Sequence, residues 1–194
     1  MSPPMTIRDQ ALLGAAQPSA SAVGAMEFIA TQTTTGTDFT TFTFAEAIDF
    51  SEYSEMYCTF SLGTDSSTGI RVQVGDSGGL VTSGANYSNQ LTDNTAGTPH
   101  HEDKADENYW RVAQHPRADT PEGIGGSLKI FLVRNTDDET MLGIQAFSAG
   151  VDSWWLIGGE LRQVETDLKY FRLFIDADTL SDGSNVTCYK VRRS

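Results

Sequence analysis

Hydrophobic and polar positions alternate with period two along most of this chain. The clearest case is residues 168–194. Leu168–Ile175 puts Phe171, Leu173 and Ile175 on one face and Tyr170, Arg172 and Phe174 on the other. Asn185–Arg192 alternates Val186, Cys188 and Lys190 with Thr187, Tyr189 and Val191. A polar loop with Asp182-Gly183 joins the two runs, and alternation around an Asp-Gly turn predicts a closing β-hairpin.

The same pattern predicts further strands at Met26–Thr33, Phe39–Phe44, Glu55–Leu62, Ile70–Val74, Asn108–Ala113, Ser127–Val133, Thr140–Phe147 and Ser153–Ile157. Gly, Asp, Ser and Asn clusters separate them, as at Asp76-Ser77-Gly78-Gly79 and Asn135-Thr136-Asp137-Asp138. Many short strands between turn clusters predict an all-β chain. The expected form is a single antiparallel β-sandwich, jelly-roll-like, with a compact barrel as the alternative. Residues 83–107 read as a long polar loop. Residues 1–25 carry no aromatic side chain and are rich in Ala, Ser and Pro. They read as an extended N-terminal arm, separate from a sandwich domain at 26–194. Ile7, Leu12 and Leu13 would line a short helix there, too short to be stable alone, that docks on a neighbouring subunit or a larger assembly.

Composition narrows the function. The 194 residues include 26 acidic and 13 basic side chains, for a net charge of −13. Such a surface repels phosphate, so no nucleic-acid partner is expected. No apolar run reaches the ~18 residues of a membrane span, so no membrane insertion is expected. The N-terminus lacks the basic start and apolar core of a secretory signal. Cys58 and Cys188 sit inside strand-like runs and read by default as buried free thiols rather than a disulfide.

Several strings suggest chemistry and read better as structure. Gly75-Asp76-Ser77-Gly78-Gly79 spells the nucleophile motif of chymotrypsin-like proteases. However, His100, His101 and His115 all follow Ser77, and Leu80 stands where that pattern has proline. The string is also a good turn. His100-His101-Glu102-Asp103 offers metal-ligand types, but no second cluster completes a site, and it reads as a solvated loop. Asp176–Gly183 lacks the glutamate and ligand spacing of an EF-hand and reads as a turn. Trp154 and Trp155 are adjacent in a strand and should face opposite ways, one into the core and one outward. Tyr109 and Trp110 form a similar pair. These four are the candidate ligand or interface aromatics. No catalytic residue, cofactor or metal ligand is assigned.

Between about Met26 and Arg192 the chain resembles the small β-sandwich domains of bacteriophage tail, fibre and capsid-decorating proteins. The resemblance rests on Met26-Glu27-Phe28-Ile29, Ile48-Asp49-Phe50 through Tyr57, Ile70-Arg71-Val72-Gln73-Val74, Ser83-Gly84 with Asn86-Tyr87, and Gly126-Ser127-Leu128-Lys129-Ile130. It continues through Phe171-Arg172-Leu173-Phe174 and Val186–Arg192. The chain departs from that pattern in its three loop aspartates and in Lys190, where glycine is common. The resemblance implies a non-enzymatic virion protein, made in a host cytoplasm, that decorates a capsid or forms a compact tail or fibre component. It implies other virion proteins as partners and a homo-oligomer, preferably a trimer. The alternative is a lectin-like module that binds a host-surface glycan through an exposed tryptophan.

Overall fold

The structure is a computed structural model. It describes residues 25–35, 41–63, 69–82, 86–95, 98–113, 123–136, 139–150, 153–162, 167–175 and 179–193. Strands dominate it: β1 (Met26–Thr33), β2 (Thr41–Asp49), β3 (Tyr53–Gly63), β4 (Ile70–Asp76), β5 (Gly79–Leu80), β6 (Tyr87–Thr95), β7 (Thr98–Glu107), β8 (Trp110–Ala113), β9 (Gly123–Thr136), β10 (Glu139–Gly150), β11 (Ser153–Arg162), β12 (Asp167–Ile175) and β13 (Asn185–Arg192). Eight strands form one antiparallel sheet in the order β1-β13-β3-β9-β10-β11-β6-β7. The second runs β2-β12-β4-β5, with β8 also paired to β4. The two sheets stack as a β-sandwich, as the alternation predicts.

The core is the set of inward positions of both sheets. Met56, Cys58, Phe60 and Leu62 of β3, Leu142 and Ile144 of β10, and Trp155 and Ile157 of β11 come from the large sheet. Phe42 and Phe44 of β2, Val72 and Val74 of β4, and Phe171 and Leu173 of β12 meet them from the small one. Trp110 of β8 is fully buried and lies against Gly159, where a Cβ would stand 2.8 Å from the indole. A side chain at 159 would push β8 off the large sheet, so glycine is required by close approach. At one side of the sandwich the Gln32 amide exchanges two hydrogen bonds with the Thr43 backbone, at 2.6 and 3.2 Å. That amide imitates a ladder rung between β1 and β2.

Three expectations are corrected. First, β12 and β13 are not a hairpin. β12 pairs with β2 and β4, whereas β13 pairs with β1 and β3. The loop between them crosses from sheet to sheet. Leu180 anchors it in the core, and Gly183 makes its turn at φ 83°. Two strands facing one core from opposite sheets show the same alternation as two strands of a hairpin.

Second, the stretch read as a polar loop holds the β6–β7 hairpin at the edge of the large sheet. Its alternation is masked because two inward positions are polar. Asn89 and Asp93 are buried beside Tyr87 and Leu91. Asn89 donates to the Tyr109 carbonyl at 3.1 Å and accepts from the Arg111 N–H at 2.7 Å.

Third, Cys58 and Cys188 form a disulfide rather than free thiols. They are directly opposed on β3 and β13, with Cα atoms 4.2 Å apart. This is the close spacing of a non-hydrogen-bonded antiparallel pair. A separation of 130 residues hid that adjacency.

Candidate functional site

The outward face of the eight-stranded sheet is the most unusual surface of the described residues. Six large apolar side chains are exposed there: Met26, Phe28, Val133, Phe147, Trp154 and Leu156, from 39% to 62%. All six lie on this one face. Phe28 stands opposite Tyr189, and their rings meet edge-on at 6.0 Å. Phe147 stands opposite Leu156, and Trp154 opposite Ala149. Val133 and Phe131 lean over Gly143, where a Cβ would meet them within 3 Å. Solvated sheet faces ordinarily alternate to polar residues, and a grouped apolar face marks a contact surface.

Two shallow troughs cross this face, each of about 670 Å³. Gln145 and Gly158 belong to both. Tyr57, Lys129, Phe147 and Leu156 line the first, and Phe131, Val133 and Glu160 line the second. Glu55 also lines the first trough, and Asp103 and Lys104 the second. Lys129 approaches Glu55 at 4.0 Å and lies over the Phe131 ring.

The outward face of the five-stranded sheet differs. Tyr170, Arg172 and Phe174 follow one another along β12. The Arg172 guanidinium stacks over Phe174 at 4.5 Å, and that of Arg71 over Tyr109 at 3.9 Å. The Tyr109 and Phe174 rings pack edge to face at 6.3 Å. Burial pulls the Arg71 pKa down, while Tyr109 and Glu107 oppose that shift. It stays charged at neutral pH all the same.

The candidate aromatics divide as follows. Trp155 and Trp110 are fully buried, so neither meets a ligand. The Trp110 N–H donates to the Glu160 carbonyl at 3.3 Å, and its ring packs edge-on against Tyr87 at 5.1 Å. Burial pushes the Tyr87 phenol well up, and its hydroxyl donates to the Val81 carbonyl at 2.9 Å. Trp154 is the exposed tryptophan and Tyr109 is half-buried. Trp154 is on the large sheet and Tyr109, in the bend between β7 and β8, packs on the small one, so the four do not form one site. Ile7, Leu12 and Leu13 lie outside the described residues.

The remaining motifs fall in structural places. Asp76 Oδ1 accepts from the Gly78 N–H at 2.8 Å, and Gly79 takes φ 113°. Residues 75–79 are therefore the β4–β5 turn. His100 and His101 lie on β7, at the edge of the other sheet, and His115 lies outside the described residues. On β7, His100 approaches Asp93 at 3.5 Å, His101 approaches Asp103 at 3.3 Å, and Arg111 bridges Glu102 and Glu107. No group of three metal-ligating side chains occurs among the described residues. Asp176 and Asp178 lie outside them; Asp182 begins the turn closed at Gly183.

Sequence reasoning missed the apolar face. Phe28, Phe147 and Leu156 each alternate correctly within their strands, and only sheet order gathers them. No family model, curated protein or solved structure matches this chain.

Proposed function

We propose that this chain is a non-enzymatic structural protein of a virus particle. It acts as a capsid decoration or compact tail or fibre component, and copies associate through the outward face of the eight-stranded sheet. The observation that carries the reading is that face: six exposed apolar side chains grouped on one sheet. Eight strands at ~4.8 Å spacing, used over about six residues each, present on the order of 700 Å². That is near the ~800 Å² each partner contributes to a standard interface. A second copy is the proposed occupant because the area of the face matches what a self-contact needs; the net charge of −13 opposes association, so the exposed apolar side chains are what would hold the copies together. A trimer is preferred on the resemblance described above, with residues 1–25 as the attachment arm. The cross-strand disulfide favours an oxidising setting, and virion surfaces are among the places where disulfides persist.

The glycan-binding reading is supported by one observation. Trp154 is exposed beside the troughs, while the other two tryptophans are buried.

Light scattering of the full chain tests the association. A multiple of 21.1 kDa is expected, and Leu156→Glu with Phe147→Glu should return the single-chain mass with unchanged circular dichroism. A wild-type chain that stays single at micromolar concentration would remove the association. Immuno-electron microscopy of intact particles tests the location, and absence of label from every particle would remove the virion role.

A further inference from the structure

We infer that the outward face of the five-stranded sheet carries a binding site for a single carboxylate on a saccharide, centred on Arg172. This site lies on the opposite sheet from the association face and does not depend on which particle holds the chain.

Arg172 differs from most of the cations among the described residues. Lys104, Arg111, Lys129, Lys190 and Arg192 each reach a glutamate. Arg172 reaches no carboxylate among the described residues. Its hydrogen bonds go to neutral oxygens, Gln73 Oε1 and Thr41 Oγ1, both at a long 3.4 Å. Those bonds hold its orientation without neutralising it. Gln73 is itself 5% exposed and fixed, because its amide donates to the Asn108 carbonyl at 2.9 Å. One face of the guanidinium lies on Phe174. The group therefore lies between Gln73 and Thr41 of the two neighbouring strands and over the Phe174 ring, and keeps its full charge. Stacked guanidinium with donors at its edge is the geometry that takes a carboxylate in a fork. Arg71, held over Tyr109 on the adjacent strand, adds a second positive charge diagonally across the ladder.

The rest of the molecule selects among anions. A net charge of −13 repels polyanions and phosphate-rich ligands, so a singly charged group is favoured over a nucleic acid or a polysulfated chain. Tyr170, half-buried and two residues from Arg172 on the same outward face, offers ring surface beside the charge. An apolar ring next to a carboxylate fork fits the C–H face of a uronic or other acidic sugar better than a free inorganic ion.

Saturation-transfer NMR and calorimetry with glucuronate, glucose, inorganic sulfate and hexaglutamate test the site. Glucuronate is expected to bind and to shift the Arg172 Nε–H resonance, with glucose silent. Arg172→Gln should weaken binding about tenfold or more, the scale of a lost charge-assisted pair, with the melting temperature held. Arg172→Lys should recover only part of the loss, since it restores charge but not the planar fork. Equal binding by Arg172→Gln, or no glucuronate binding by the wild type, would overturn the site. Binding of sulfate or hexaglutamate without glucuronate would overturn the saccharide assignment.

Discussion

The two outward faces of this sandwich obey the same alternation but carry different chemistry. The large sheet turns Phe28, Phe147, Trp154 and Leu156 to the outside. The small sheet turns out Arg71 and Arg172, each stacked on an aromatic ring, with Arg172 also bonded to the buried Gln73. A sandwich needs only its inward positions to be apolar. Apolar residues on the large outer face are therefore not a requirement of folding, and neither is an arginine on the small one that lacks a carboxylate. The proposed association falls on the first departure and the proposed recognition on the second.

The widest break of this contrast comes at Trp110, because it ties the two sheets together. Its ring joins β8 of the small sheet to Gly159 of the large one. Trp110→Ala should lower unfolding free energy by about 3–5 kcal/mol, read by urea denaturation, and disturb both faces together. The disulfide is next, and it links two strands of the large sheet. Replacing Cys58 and Cys188 by alanine should cost about 2–4 kcal/mol while leaving the Arg172 resonance in place. A loss of glucuronate binding in that variant would mean the two faces are coupled.

The smallest effect is acid. Hydrogen bonds from Arg192 and Tyr53 hold the Glu27 carboxyl below its ordinary 4.5, and one from Lys104 does the same for Glu102. A carboxylate depressed in the folded state contributes stability above its unfolded value and loses it as pH falls through the folded value. The melting temperature should thus hold from neutral to about pH 5 and decline below about pH 4. The decline begins at the two edges of the large sheet, β1–β13 and β7, where these carboxylates sit. Arg172 has no carboxylate partner, so its environment should not change over that range unless the whole chain unfolds.

Much of the fold was legible in single strands. Met26–Thr33 and Asn185–Arg192 begin and end where their alternation places them. β6 was not legible, because Asn89 and Asp93 occupy inward positions, Asn89 bonded to Tyr109 and Arg111 and Asp93 facing His100, partners that no local pattern reveals. Of the candidate site, the opposite orientation of Trp154 and Trp155 could be read from adjacency in a strand. Arg172 could not be read as a site residue. Its partner Thr41 lies 131 residues away in the chain, and its partner Gln73 lies 99 away.

The sequence by itself determined where most strands lie, β6 and β7 excepted, and which of their side chains face inward, because period-two alternation is a property of neighbouring residues. Tertiary structure decided which strands are partners. It placed β12 and β13 in different sheets, brought Cys58 against Cys188, gathered the apolar residues of β1, β9, β10 and β11 on one surface, and set Arg172 over Gln73. Those outcomes depend on sheet order, which is fixed by packing two whole faces around one core and which no single strand contains.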